Sequence, residues 1–166
     1  DRNRTSPFAF TGNKFEFRMP GSSCSIGCPN MIMNTIVAEA LSCFADQLEQ
    51  AKDFQKALNK LIHDTLLRHR RIIYGGNNYA EQWREEAMRR GLENFTNTVE
   101  ALPHYTDEKN VRMFEKHGVL SEAEIASRQE VLLENYTKSL AVEALTFTVL
   151  VRKDILPAVV KNDYSV

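Results

Sequence analysis

Hydrophobic residues recur at helical spacing along most of this chain. The segment 29–50 begins apolar on nearly every side, which predicts a helix that is buried on most sides. Pro29 suits its first helical position, with Cys28 or a neighbour as the cap. A second helix, capped by Asp53 and ending near His69, carries a single apolar stripe made of Phe54, Ala57, Leu58, Leu61, Ile62, Thr65 and Leu66.

A third helix is predicted at 79–90, with Asn77 or Asn78 as its cap. Gly91 should stop it, because glycine readily adopts the left-handed conformation that ends many helices. Residues 92–105 show no clear periodicity and are predicted to be irregular.

Two further helices follow. Thr106 is the predicted cap of a short helix at 107–117, which has a glycine after its end. Ser121 and Glu124 then form a capping box, which opens the longest helix of the chain, with roughly 30 residues or more. Pro157 should end or kink it. Its candidates for burial are Ile125, Leu132, Tyr136, Leu140, Leu145, Val149 and Leu156.

The segment from Lys14 to Met19 has a different period, of two residues, which predicts a strand. Its apolar face (Phe15, Phe17, Met19) can anchor it on a core, and its charged face holds Lys14, Glu16 and Arg18. A carboxylate between two cations suits a metal, phosphate or carboxylate site, and it equally suits an ordinary half-exposed strand. Gly12-Asn13 favours a hairpin turn, whose partner strand is either the segment near Phe8 or something outside this chain.

Together these elements predict a mainly α fold, a helical bundle of about five helices preceded by a loop and one short β-strand. The 166 residues are 43% hydrophobic and 26% charged, as in a globular protein, and they can bury roughly 70% of their unfolded surface. The net charge of -1 gives no general attraction to nucleic acid or to an anionic membrane. No apolar stretch is long enough for a membrane span. We therefore expect neither nucleic acid nor membrane as a partner.

A run of cations, Arg68-His69-Arg70-Arg71, closes the second helix. Cations at this end favour the negative pole of the helix dipole, so a capping role accounts for them. A phosphate-binding role is the alternative that the sequence leaves open.

Candidate catalytic residues are scarce in the helical part. None of the four histidines lies three or four residues from another histidine or a cysteine, so no metal-ligand spacing is present. The three cysteines, Cys24, Cys28 and Cys43, are an odd number without the spacing of a redox or zinc motif. We expect free thiols and a cytoplasmic location. Any chemistry should therefore belong to residues 1–30.

Those residues carry a resemblance. Asn3-Arg4-Thr5, then Gly12-Asn13-Lys14-Phe15-Glu16-Phe17-Arg18-Met19-Pro20-Gly21, then Asn30 before a helix, resembles the end of a glutamine synthetase catalytic domain. The sequence of this stretch is most similar to that of the long bacterial type III enzymes, and the similarity continues through the helical tail. The resemblance implies that 1–30 is the end of the catalytic domain and that 31–166 is a helical C-terminal domain.

The resemblance also implies an activity and roles for single residues. The family makes glutamine from glutamate, ammonia and ATP through γ-glutamyl phosphate, with Mg²⁺ or Mn²⁺ ions. Glu16 would be a metal ligand, and Arg18 would hold the glutamate substrate. Arg4 would be catalytic, contacting glutamate or the transferred phosphoryl group. Lys14 would face the nucleotide phosphates, where many relatives have an arginine.

One carboxylate cannot build a multi-metal ATP site, so the resemblance implies further partners. We expect the chain to be the tail of a longer ATP-dependent glutamate–ammonia ligase and to be inactive alone. The other ligands would come from the rest of the same polypeptide and from neighbouring subunits of a ring-shaped homo-oligomer. The alternative is a non-catalytic helical module for assembly or interaction.

Overall fold

The short β-element is a hairpin. The computed structural model of the chain describes residues 8–10, 14–18, 21, 24–77 and 80–163. Strand β1 (Phe8–Phe10) pairs antiparallel with β2 (Phe15–Phe17), and Ala9 lies opposite Glu16. The segment near Phe8 is therefore the partner strand, so two short strands are present where one was predicted. The remaining elements are helical, which confirms the mainly α class.

Seven α-helices and three shorter helical turns are formed by the described residues. The α-helices are α1 (Gly27–Leu48), α2 (Phe54–Arg68), α3 (Glu81–Arg89), α4 (Thr98–Ala101), α5 (Glu108–Lys116), α6 (Glu122–Leu150) and α7 (Leu156–Asp163). The turns are two 3₁₀ segments, Arg70–Ile72 and Leu102–Thr106, and a π-helical segment, Val151–Ile155.

The chain forms two compact units, and the division falls inside α5. The first unit runs up to Asn94 and includes Met113–Val119; the second holds Phe95–Arg112 and the residues from Leu120 onward. Ala87 and Phe114 are the buried apolar side chains described in the first unit, and Leu120 and Ile125 are those described in the second.

Helix α1 begins two residues before the predicted start. Its cap position is Ile26, which makes no side-chain cap bond, so the prediction of Cys28 as cap was wrong. Instead the hydroxyl of Ser25 accepts a hydrogen bond from the backbone N–H of Gly27, at 3.1 Å. Pro29 still lies in the first turn, where its missing N–H removes no helical bond.

The prediction that α1 is buried on most sides was also wrong. Thr35 is its one buried residue, and 60% of Leu41 is exposed. Within the first unit α1 packs against α2, and one neighbouring helix covers only one side of a helix.

Helix α2 matches its prediction. The carboxylate of Asp53 accepts a hydrogen bond from the backbone N–H of Lys56 at 3.0 Å, and the helix ends at Arg68. Its cap bond links residues three positions apart, so the local sequence sufficed to predict it.

Helix α3 begins later than predicted and has another cap. Its cap residue is Ala80, which makes no side-chain cap bond, so the prediction of Asn77 was wrong, and Asn78 lies outside the described residues. The stop at Gly91 is confirmed, with φ of 68° and a bond from the N–H of Leu92 to the carbonyl of Ala87 at 2.9 Å. Gly118 ends α5 in the same way, with φ of 60°.

The segment predicted to be irregular contains helical turns. The side chain of Asn97 accepts a hydrogen bond from the N–H of Glu100 at 2.9 Å and so caps α4. Thr106 lies in the 3₁₀ turn after α4 and donates its hydroxyl to the carbonyl of Pro103, so the prediction that it caps α5 was wrong. Gln129 of α6 donates to the carbonyl of Leu102 at 2.9 Å and so ties this turn to the long helix.

The capping box of α6 is confirmed. The Ser121 hydroxyl accepts from the N–H of Glu124, and the Glu124 carboxylate accepts from the N–H of Ser121 at 2.8 Å. Ile125 is fully buried as predicted. The other predicted burial of large aliphatic side chains was wrong, since the structure leaves them 37–68% exposed: Leu132, Leu140, Leu145, Val149 and Leu156.

The long helix is interrupted shortly before Pro157, the residue at which an end or a kink was predicted. Regular α-helical bonding ends at Leu150, a π-helical turn follows, and Pro157 is the second residue of α7. Proline has no N–H for the carbonyl four residues earlier, so the helical bonds must be rearranged there. None of the described helices combines the length and the apolar character that crossing a bilayer requires.

Candidate functional site

The charged face of β2 is formed as the sequence predicts. A guanidinium nitrogen of Arg18 donates to Oε2 of Glu16 at 3.2 Å, and Nζ of Lys14 lies 4.0 Å from Oε1 of the same carboxylate. Alternation along the strand places the three side chains on one face, and pairing with Ala9 holds Glu16 in register. The hairpin therefore presents one carboxylate between two cations.

This face is open to solvent. The side chains of Lys14, Glu16 and Arg18 are 67%, 42% and 23% exposed. Exposed ion pairs contribute only about 0–1 kcal/mol, so the pairing orients the groups without stabilising the fold strongly. The carboxylate and the guanidinium remain accessible to a ligand.

The opposite face of β2 does not behave as predicted. Phe15 is 58% exposed and Phe17 is 38% exposed, so the described part of this apolar face is not buried in a core. A two-stranded hairpin needs a further strand or a helix packed against it before an apolar face can be buried.

The described residues alone do not form a metal centre. No group of three or more His, Cys, Asp or Glu side chains comes together in the described part of the chain, and Glu16 supplies a single hard oxygen donor. A single carboxylate such as Glu16 can supply one ligand to a Mg²⁺ or Mn²⁺ ion, and the other oxygen ligands would have to come from outside the described residues. Arg4, the predicted catalytic residue, lies outside the described residues.

A second charged cluster joins α1 to the end of α5, and sequence reasoning missed it. Oε2 of Glu39 lies 2.7 Å from Nζ of Lys116 and 2.7 Å from Nε2 of His117. Hydrogen bonds from Lys116 and His117 lower the pKa of Glu39 to about 2. The signal that could have revealed it was an acidic residue, Glu39, within the mostly apolar segment 31–41 of α1.

Arginines from the end of α2 and from α3 form a third charged region. An open cleft of about 580 Å³ is lined by Arg70, Arg71, Ile73, Arg89 and Arg90. Glu86 is the carboxylate that binds two of these arginines, and hydrogen bonds from Arg89 and Arg90 lower the pKa of Glu86 to about 2. We call this region the arginine cleft.

Comparison with known proteins identifies relatives of the chain. The family model for the glutamine synthetase C-terminal domain matches residues 57–166. Type-3 glutamine synthetase from Dictyostelium discoideum is 47% identical over 161 residues, which are 95% of this chain and 22% of that protein. Glutamine synthetases from Butyrivibrio fibrisolvens and Bacteroides fragilis are each 38% identical, over 96% of this chain and 23% and 22% of their own lengths.

The chain thus spans about a fifth of the length of these relatives. The match confirms the resemblance stated from the residues around β2, and it extends over the helices that follow. The chain belongs to the glutamine synthetase C-terminal domain family.

Proposed function

We propose that this chain forms one wall of the active site of a glutamine synthetase. The complete enzyme would make glutamine from glutamate, ammonia and ATP through γ-glutamyl phosphate. The observation that carries the proposal is the arrangement on β2, where Glu16 lies within 3.2 Å of Arg18 and 4.0 Å of Lys14 on an accessible face. The names of the relatives support a ligase as the parent enzyme.

Each charged side chain has a proposed role. Glu16 binds one of the divalent ions, since a carboxylate is the donor that Mg²⁺ and Mn²⁺ prefer. Arg18 holds a carboxylate of glutamate, which its planar fork can grip with two hydrogen bonds. Lys14 supplies positive charge for the nucleotide phosphates, and Arg4 stabilises the charge that develops on the transferred phosphoryl group.

The rest of the site comes from elsewhere in this proposal. The remaining metal ligands and the nucleotide pocket belong to the rest of the same polypeptide and to neighbouring subunits of a ring-shaped homo-oligomer in the cytoplasm. Residues 1–30 then end the catalytic domain, and 31–166 form a helical C-terminal domain. The isolated 166-residue chain should therefore form no glutamine from glutamate, ammonia and ATP, and robust turnover by it would contradict the proposal.

Glu16→Gln in the complete polypeptide tests the metal role. Glutamine keeps the shape of the side chain but removes the charge that a divalent ion needs, so the Mg²⁺ concentration for half-maximal activity should rise by at least about tenfold. Glu143→Gln removes an exposed carboxylate from α6 and serves as the control. Normal activity with unchanged metal dependence in Glu16→Gln would overturn the assignment.

Arg18→Lys tests the substrate role separately. Lysine keeps the charge but not the fork, so the KM for glutamate should rise while the metal dependence stays as in the unmodified enzyme. An unchanged KM for glutamate would exclude the role of Arg18 in substrate binding.

A helical assembly module is the second candidate function. Large apolar side chains stay exposed along α6, with Val142 at 61%, Leu145 at 68% and Phe147 at 62%. Exposed apolar surface of this kind is typical of a contact with another protein surface. This role would belong to residues 31–166 and is compatible with a catalytic role of β2.

Removal of residues 50–166 from the complete polypeptide tests the module. The molar mass from light scattering should fall if these helices hold subunits together, and an unchanged mass would exclude the role. Because the deletion is large, Leu145→Glu provides a milder variant, and Glu143→Gln on the same helix is its control.

A further inference from the structure

The arginine cleft is not used by the proposed active-site wall. It is built from the 3₁₀ turn after α2 and from the last turn of α3, both in the first unit. The sequence left two roles open for the first part of it, helix capping or phosphate binding. The hydrogen bonds of the structure show which groups these arginines contact.

Hydrogen bonding to the end of α2 does not account for Arg70 and Arg71. Neither side chain donates to a carbonyl of α2 among the described residues; Arg71 donates instead to the carbonyl of Gly91, at 3.4 Å. The side chain of Arg70 makes no hydrogen bond or ion pair with any residue that the structure describes, and only its backbone carbonyl is engaged, by the N–H of Ile73 at 3.1 Å. A cation held at the rim of a cleft without a protein partner is available to an external anion.

Arg90 is the structural member of the cleft. Its Nε donates to Glu86 at 2.5 Å, and one terminal nitrogen donates to the carbonyls of Arg71 and Ile73 at 3.2 and 2.9 Å. Its guanidinium also lies 5.6 Å from the ring centre of Tyr74. These contacts fix the 3₁₀ turn against the end of α3 and so hold the two sides of the cleft in place.

The other arginines keep donors for a ligand. Arg89 is 73% exposed and uses Nε and one terminal nitrogen on Glu86, which leaves its second terminal nitrogen for another acceptor. Four guanidiniums therefore face a single carboxylate among the residues named at the cleft. The excess positive charge is mostly on Arg70, Arg71 and Arg89, on opposite sides of the opening.

We propose that the arginine cleft binds a small anion that carries two or more linked phosphate groups. Guanidinium forks match phosphate oxygens, and one exposed ion pair alone contributes little, so recognition needs several pairs at once. Donors on both the 3₁₀ turn and α3 require an anion long enough to span them. A volume of about 580 Å³ lies within the range of small-molecule sites.

Titration calorimetry of the 166-residue chain with sodium tripolyphosphate at low salt tests the proposal. Arg70→Gln combined with Arg71→Gln should weaken binding by at least about tenfold, since each removes charge-assisted hydrogen bonds. Arg112→Gln combined with Arg152→Gln removes two exposed arginines elsewhere and should leave the affinity unchanged. No binding at about 1 mM tripolyphosphate, or equal weakening by both pairs of substitutions, would overturn the proposal.

Two further ligands identify the recognised group. Inorganic phosphate should bind at least about tenfold more weakly than tripolyphosphate, because it reaches only one side of the cleft. ATP with the same affinity as tripolyphosphate identifies the phosphate chain as the recognised group, and tighter ATP binding that Arg70→Gln weakens identifies a nucleotide. If a poly-glutamate peptide binds more tightly than tripolyphosphate, the cleft recognises an acidic protein segment, and the proposal of a phosphate ligand is refuted.

Folding of the variants is checked by circular dichroism. Arg70 has no protein partner among the described residues, so Arg70→Gln alone keeps the fold and should weaken tripolyphosphate by at least about threefold. If the double variant unfolds, Arg70→Gln alone still tests the site. An affinity of this variant for tripolyphosphate equal to that of the unmodified chain would exclude the site.

Discussion

Replacing Ile125 by alanine should destabilise the second unit strongly, because Ile125 is fully buried at the start of α6. The substitution removes three carbon atoms from a side chain without exposed surface. At about 0.8 kcal/mol for each buried methylene, the transfer contribution is about 2.4 kcal/mol, and the cavity left behind brings the expected loss into the range of about 2–5 kcal/mol. Ile125→Val removes one carbon and should cost only about 0.5–1.5 kcal/mol.

The assay is urea unfolding of the 166-residue chain followed by circular dichroism at 222 nm. Midpoint and slope are both fitted, because two compact units need not unfold in a single step. Leu145→Ala is the matched control, since it removes the same number of carbons from the same helix at a position that is 68% exposed. It should change the free energy of unfolding by less than about 0.5 kcal/mol.

The pattern across the three variants decides the outcome. A large loss for Ile125→Ala, about a third of it for Ile125→Val and almost none for Leu145→Ala supports the described burial. Equal losses for Ile125→Ala and Leu145→Ala would refute it. The measurement is made on dilute protein, so that self-association does not cover Leu145.

Three further predictions concern local contacts. The pKa of Glu39 is about 2 in the folded chain and ordinarily 4.5, so its ion pairs stabilise the fold above about pH 4.5 and this stabilisation is lost as the pH falls towards 2. In Glu39→Gln the melting temperature should therefore depend less on pH in that window, and an unchanged dependence would contradict the prediction. Ser121→Ala should lower the free energy of unfolding in urea by about 1 kcal/mol, because the α6 cap is lost. Ser139→Ala, within α6, should not lower it, and equal losses for the two variants would exclude the cap. Gly76→Ala should shift the fluorescence of the single tryptophan, Trp83, because the new methyl group would overlap the Tyr74 ring that stacks on Trp83. The space around Gly75 is open, so Gly75→Ala should leave the fluorescence unchanged, and identical spectra for the two variants would disprove the overlap.

The sequence predicted the glycine stops and two of the helix caps correctly. Asp53, the Ser121–Glu124 box, Gly91 and Gly118 all act as predicted. Each of these features joins groups only a few residues apart, so its energy depends little on the rest of the fold. The failures at Cys28, Asn77 and Thr106 are local as well, because in each case the helix begins at another residue and the cap position moves with it.

Burial was not readable in the same way. Leu41 of α1 and Leu145 of α6 lie in apolar patterns and yet are mostly exposed. A pattern shows which face of a helix can be buried, but burial requires a second surface, and whether one is present depends on the packing. Phe15 and Phe17 illustrate the same point on β2.

The candidate functional regions also include features that follow from the local sequence and features that depend on the tertiary structure. Alternation in the sequence determined that Lys14, Glu16 and Arg18 share a face, because a strand repeats every two residues. Only the tertiary structure brought Glu39 to His117, 78 residues away, and Arg90 to the carbonyl of Ile73, 17 residues away. The sequence by itself thus determined the helical class, most helix ends and the charged strand, since these arise from neighbours along the chain. The tertiary structure decided the hairpin pairing, the exposed apolar faces and the arginine cleft, since contacts between distant segments depend on the path of the whole chain.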